Sequence, residues 1–199
     1  MVTYKRLFDF TISLILLVLL SPLFLMIYLI IKVTSPGPGF FVQPRLGLNG
    51  KVFTIFKFRT MVHNAENMQP AMENLNESRS PAFKIKHDPR ITSLGSILRR
   101  SSMDELPQLL NVLRGEMSLV GPRPLPVRDY DNGFASWQAT RLGVKPGITC
   151  LWQVSGRSHL SYEEWRKMDI DYIENVSFRL DLKILAETIP AILKQEGAY

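Results

Sequence analysis

The sequence predicts a mainly helical α+β protein, with an N-terminal re-entrant membrane helix over residues 1–34 and one compact domain over 35–199. Three observations carry this. Phe10 to Ile31 (FTISLILLVLLSPLFLMIYLII) contains no charged residue and is long enough to reach across a bilayer as a helix. Two β-prone runs, 40–42 and 51–58, are separated by Asn49-Gly50, which signals a small hairpin. The remainder carries helical periodicity, with no internal repeat and no second boundary.

Beyond the membrane segment, about 165 residues remain, enough for roughly one core. Hydrophobic residues make up 46% of the chain and charged residues 21%, so neither disorder nor a polytopic membrane protein is indicated. The 24 Lys plus Arg against 18 Asp plus Glu leave a formal charge of +6, which suits a phosphate, a nucleic acid or an acidic lipid surface. The single cysteine, Cys150, forbids an internal disulfide and reads as a small buried apolar residue.

Within the apolar segment Pro22 removes a backbone hydrogen bond, so a kink is expected there, and Ser21 can satisfy a freed backbone group where water is absent. Lys5 and Arg6 precede the segment. Lys32, Arg45, Lys51, Lys57 and Arg59 follow it, with no acid until Glu66. Both flanks therefore carry the cytoplasmic signature, and a helix that enters and returns on one side satisfies both. A kinked single span and a secretory signal are the alternatives. A signal is disfavoured because no small-residue cleavage site follows.

Ser35-Pro-Gly-Pro-Gly39 ends the membrane element. Glu66 to Arg79 is patternless and reads as a mobile loop or a weak surface helix. Ile91, Leu94, Ile97 and Leu98 share one side of a short amphipathic helix that faces either the bilayer or the core. Pro107 to Arg114 reads as a helix closed by Gly115, with Leu109, Leu110 and Leu113 as its buried stripe. Further helices are expected over 162–174 and 180–194. The second presents Leu182, Leu185, Ile189 and Ile192 on a common face and is kinked or interrupted by Pro190.

The most informative stretch is Arg99-Arg-Ser-Ser-Met-Asp-Glu-Leu-Pro-Gln108. Asp104 and Glu105 stand ahead of a helix start with two arginines upstream. The helix dipole and nearby cations would hold a carboxylate ionised there, available as a nucleophile or a Mg²⁺ ligand. Ser102 to Glu105 also matches a capping box, and taken alone that reading is the stronger one. Gly121-Pro-Arg-Pro124 fixes Arg123 between two prolines, suited to presenting a guanidinium to phosphate oxygens, or else forms an ordinary turn. In Phe56-Lys-Phe-Arg-Thr-Met61, alternation places Lys57 and Arg59 on one face, where they meet either substrate phosphate or lipid headgroups.

These motifs together resemble the bacterial sugar transferase family, the monotopic phosphoglycosyl transferases. The match runs through Ser21-Pro22, KFRTM at 57–61, LRRSSMDELPQLLNVLRGEMSLVGPRP at 98–124 and KPGITCLWQVSGRS at 145–158. The resemblance implies a re-entrant helix broken at Ser21-Pro22 and a catalytic domain on the cytoplasmic face of the bacterial inner membrane. It implies Asp104 as nucleophile and Mg²⁺ contact with Glu105 beside it, and Arg123, Lys57, Arg59 and Arg99 as phosphate-binding cations. Trp152, Gln153 and Arg157 fall on the nucleotide side, although Trp152 reads equally as core. The implied partners are a UDP-sugar, polyprenyl phosphate and membrane phospholipids, and self-association is compatible with the sequence. The implied reaction moves a sugar 1-phosphate to polyprenyl (undecaprenyl) phosphate through a covalent aspartyl phosphosugar, initiating exopolysaccharide, capsule, O-antigen or glycoconjugate assembly. LWQVSGR and the closing Gly197-Ala-Tyr199 point to galactose or glucose as the sugar.

A membrane-tethered basic module that holds RNA or anionic lipid without catalysis is the alternative of a different class. No interleaved aromatic and basic RNA-binding motif supports it, so nucleic acid is not an expected partner. Within enzymes, direct attack of the lipid phosphate in one step competes with the covalent route.

Overall fold

In a computed structural model, residues 2–77, 83, 85–127 and 136–194 are described. Arg79 and Gly197-Ala-Tyr199 lie outside them. The architecture is mainly helical α+β. Helix α1 (Val2–Thr34) is followed by an antiparallel hairpin of β1 (Phe40–Leu46) and β2 (Val52–Phe58), in a register that pairs Phe40 with Phe58 and Leu46 with Val52. At the turn Asn49 (φ 57°) and Gly50 (φ 74°) both adopt positive φ, the conformation for which these two residue types are suited. Helix α2 (Ala65–Met68) and a 3₁₀ segment over Pro70–Leu75 fill much of the stretch read as patternless, each burying one of its own residues, Ala65 and Met72.

Helix α3 (Ser93–Arg100) starts at Thr92, whose hydroxyl accepts from the Gly95 N–H. It turns Leu98 into the core and leaves Ile97 exposed, so its apolar residues divide between the two environments expected for it. A 3₁₀ turn over Met103–Gln108 leads into α4 (Leu109–Arg114), closed by Gly115 at φ 80°. The buried residues of α4 are Leu109, Asn111 and Val112, whereas Leu110 is exposed, which corrects the predicted leucine stripe. Asn111 takes the inward position because it replaces strand partners. Its Oδ1 accepts from the Phe56 N–H, and its Nδ2 donates to the Thr54 carbonyl and to Glu116.

A second, parallel pair that the sequence did not announce joins β3 (Ser118–Val120) to β4 (Gly147–Thr149). The strands approach so closely that a Cβ on Gly147 would lie 2.1 Å from the Gly121 nitrogen. Glycine is the residue this contact admits. Between them lies α5 (Ser136–Arg141), and beyond them come α6 (Leu151–Val154), α7 (Tyr162–Glu174) and α8 (Phe178–Lys194). A capping box at Ser161 and Glu164 fixes the start of α7.

Helix α8 runs on past Pro190 and buries Asp181 and Ile184. Of the face predicted for packing, Leu185 packs against the core and Ile192 is half-buried, whereas Leu182 and Ile189 are exposed together with Phe178 and Leu193, so the face is divided. Asp181 explains the difference. Its carboxylate accepts from Lys5 at 2.5 Å and from the Tyr172 hydroxyl at 2.7 Å, so a charged residue occupies the inward face that hydropathy would assign to apolar ones.

Helix α1 packs on the domain with both of its halves. Near its start Lys5 also donates to the Val120 carbonyl, Arg6 donates to the Val112 and Leu113 carbonyls at the end of α4, and Asp9 accepts from Ser118 and the Leu119 N–H. The two cations read as a charged flank are thus spent on backbone and carboxylate groups of the domain. Near its other end Ile27 and Ile31 are buried against Phe58 and Leu98. The helix is continuous through Pro22, and the Ser21 hydroxyl donates at 2.8 Å to the Val18 carbonyl. That carbonyl is the one a residue with an N–H at position 22 would have bonded.

Candidate active site

The loop after β3, the end of β2 and the turn after α3 converge on Asp104 and Glu105. Ser102, just ahead of the pair, sits in the left-handed region at φ 57° and makes no capping bond, so the capping box is not formed. Glu105 is turned inward instead. It accepts from Lys57 Nζ at 2.6 Å and from both terminal nitrogens of Arg123, with Nη1 at 2.9 Å. A forked guanidinium and an ammonium on one buried carboxylate form a charge-assisted cluster. Burial works to raise the Glu105 carboxyl, but Arg123 and Lys57 hold it well below the usual carboxylate range. Burial likewise opposes the charges on Lys57 and Arg123; Lys57 falls below its ordinary value, while Glu105 lifts Arg123 above its own.

Asp104 is equally buried but has a different environment. Among the described residues nothing donates a hydrogen bond to its carboxylate, and it is pushed up to about 6 by burial, with the Glu105 charge adding to the effect against the pull of Lys57, Arg99 and Arg123. The dyad does lie ahead of α4, one 3₁₀ turn upstream, but burial outweighs the expected ionising influences and raises the Asp104 carboxyl. The result is a carboxylate that is still mostly ionised at neutral pH yet more basic than a free aspartate, which favours nucleophilic use.

The remaining cations divide. Arg99 donates from Nε to Thr60 Oγ1 at 2.9 Å, and Arg157, held at φ 50°, reaches the Gln153 carbonyl at 3.3 Å and Ser102 Oγ at 3.5 Å. Among the described residues neither has a carboxylate within ion-pair distance, which leaves two charges beside the dyad open to an anion. Arg59 is not brought to the site. It is buried and donates both terminal nitrogens to the Ser35 and Pro36 carbonyls, at 2.7 and 2.8 Å, so it fixes the chain where it leaves α1. Lys57 and Arg59 therefore serve different places. The Gln153 side chain accepts from the buried Cys150 thiol at 3.0 Å, and Trp152 lies edge-on to Trp165. Thr60, inside the KFRTM run but given no role there, and Arg141, which no motif singled out, are both buried at or beside the cluster.

No three His, Cys, Asp or Glu gather among the described residues, so a closed protein cage for a cation is absent there. A magnesium ion, however, commonly takes one or two carboxylates and completes its shell with water and substrate phosphates. Asp104, unbonded and beside a carboxylate already committed to cations, fits that mode.

A profile of the family described as bacterial sugar transferase matches residues 1–195. The chain belongs to that family. It is similar to the exopolysaccharide production protein ExoY of Sinorhizobium fredii, at 42% identity over 98% of this chain and 88% of that protein. A UDP-glucose:undecaprenyl-phosphate glucose-1-phosphate transferase of Caulobacter vibrioides is 43% identical over 98% of this chain and 72% of its own length. An undecaprenyl-phosphate galactose phosphotransferase of Salmonella typhimurium is also 43% identical, although this chain spans 41% of that longer protein. As a bacterial sugar transferase the protein is an enzyme, and the only paired acids at its charged centre are Asp104 and Glu105 among the described residues.

Proposed function

We propose that the protein transfers a hexose 1-phosphate, galactose or glucose, from a UDP-sugar to polyprenyl phosphate through a phosphosugar ester on Asp104. The observation that carries the reading is the asymmetry of the dyad, in which Glu105 is locked by two cations and Asp104 is left without a hydrogen bond. An Asp104 oxygen forms a bond to the sugar-bearing phosphorus as the bond to UMP breaks. A phosphate oxygen of the lipid then attacks the same phosphorus, and the Asp104 carboxylate leaves unchanged. Arg123, Lys57, Arg99 and Arg157 receive the charge on the transferring phosphate. Bound Mg²⁺, held by Asp104 and the diphosphate, would neutralise charge so that a carboxylate can approach phosphorus. The names of the Caulobacter and Salmonella relatives support the donor and acceptor classes, and that of the Sinorhizobium relative supports exopolysaccharide assembly.

Helix α1 is long and apolar enough to cross a membrane. A spanning helix leaves its ends in different aqueous phases about 30 Å apart, and one soluble domain can hold only one of them. Here the same domain holds Lys5, Arg6 and Asp9 at one end and Ile31 at the other. This favours a re-entrant helix with both ends at the cytoplasmic face of the inner membrane. The outward apolar residues Val18 and Leu19 of α1, and Ile189 and Leu193 of α8, favour lipid around it. In a Cys150→Ser background, single cysteines at Tyr4 and Val33, both largely exposed, will be equally protected from a membrane-impermeant thiol reagent added outside intact cells. Labelling of either one from outside would sink the re-entrant topology.

For the reaction itself, detergent-solubilised protein given Mg²⁺ and polyprenyl phosphate will release UMP from UDP-galactose or UDP-glucose faster than from N-acetylated UDP-sugars. No release from any of them, with salt-sensitive binding of RNA or anionic vesicles that ignores Asp104, would replace the enzyme reading of this site by that of a basic tether.

A further inference from the structure

The two prolines around Arg123 limit its backbone but do not by themselves aim it. Its carbonyl is held by Arg141 Nη2 at 2.7 Å, and the next carbonyl, of Pro124, by Arg45 Nη1 at 2.9 Å. Arg141 is itself fixed on three sides. Its Nε lies 2.8 Å from Asp169 Oδ2, with both side chains 2% exposed, and its guanidinium carbon sits 5.5 Å from the Trp137 ring centre and 5.3 Å from that of Trp165. A desolvated guanidinium between indole faces is held by cation–π attraction as well as by its counter-ion.

We propose that Arg141 is a positioning residue for the transfer, acting through the Arg123 carbonyl to hold the Arg123 guanidinium against Glu105 and over the phosphate it receives. The arrangement explains an expensive feature, a fully buried cation whose counter-ion, Asp169, comes from a different helix and makes no contact with the dyad. Arg141 reaches no reacting group itself. It joins α5 and α7 to the loop after β3, so the packing of the aromatic cluster sets where one catalytic cation points.

The inference rests on Arg123 serving the transferred phosphate. Its test is a double-mutant cycle with Arg123→Lys and Arg141→Lys, measured as kcat for UMP release and as melting temperature in the same detergent. Lysine at 141 keeps the charge but loses the planar fork that spans Asp169 and the carbonyl. Arg141→Lys alone will lower kcat by about ten- to a hundredfold, with little change in KM for the UDP-sugar. Added to Arg123→Lys it will cost less than about twofold more, because the group it positions is already gone. Equal losses in both backgrounds overturn the proposal, since Arg141 would then act independently of Arg123. Wild-type turnover by Arg123→Lys, with Arg141→Lys still impaired, overturns the phosphate role of Arg123 and the proposal with it. Should Arg141→Lys fail to fold, Asp169→Asn loosens the same anchor and faces the same requirement of non-additivity.

Discussion

Asp104→Asn will abolish UMP release and lipid-linked product while leaving the protein folded and more stable than the wild type. Activity is lost because the amide keeps the shape of the side chain but cannot displace UMP from phosphorus. With wild-type protein, UDP-sugar and Mg²⁺, and no lipid acceptor, intact mass spectrometry will show an adduct equal to sugar phosphate on the peptide carrying Asp104, discharged by added polyprenyl phosphate. The gain in stability follows from linkage. The Asp104 carboxyl lies at about 6 in the folded protein against 3.8 when unperturbed, so its charge destabilises the fold above pH 6 by on the order of 3 kcal/mol. That cost is relieved as pH falls from about 6 towards 3.8, and it is removed at all pH values by the amide. A melting point raised by several degrees at pH 7 but not at pH 4 is the expected result. Sequential kinetics without an adduct, or substantial turnover by Asp104→Asn, would overturn the covalent route.

Glu105→Gln will reduce kcat by roughly a hundredfold, through a loss of order and not of protonation. Lys57 and Arg123 share Glu105 as their anionic anchor, and an amide holds neither as a charge would. The pH profile distinguishes this from general damage. Wild-type kcat will fall on the acid side as Asp104 takes up a proton. The charge on Glu105 raises the Asp104 carboxyl, so its removal lets the neighbouring cations draw that carboxyl down, and the acid limb of the profile will move to lower pH. An unchanged acid limb would show that Asp104 does not titrate in the turnover step.

How much of this could be read from the chain depends on how local the determining contacts are. The hairpin turn was legible because Asn49 and Gly50 encode it alone, and α7 was legible end to end because its cap lies within four residues. The pattern Ser-x-x-Glu occurs both at 161–164 and at 102–105, yet only the first forms a capping box. Glu105 is claimed by Lys57 and Arg123, 48 and 18 positions away, and no local rule contains those partners. The same distance hid the role of Asn111, the inward face of α8 and the separation of Arg59 from Lys57. The dyad was recognisable by its motif, but the two acids are equally buried, and which of them is bonded is set by the distant cations Lys57 and Arg123.

The contact between Lys5 and Asp181 joins positions 176 apart in the chain. Strand β3, which leads into Arg123, is held by Asp9 at Ser118 and Leu119, and by Lys5 and Tyr172, which both donate to the Val120 carbonyl. A ribosome elongating this chain therefore commits the apolar helix to the bilayer long before the residues that clasp its base exist. The loop carrying Arg123 reaches its final form only when α8 closes on α1, so assembly includes a closure across 176 positions and waits until α8 has been made.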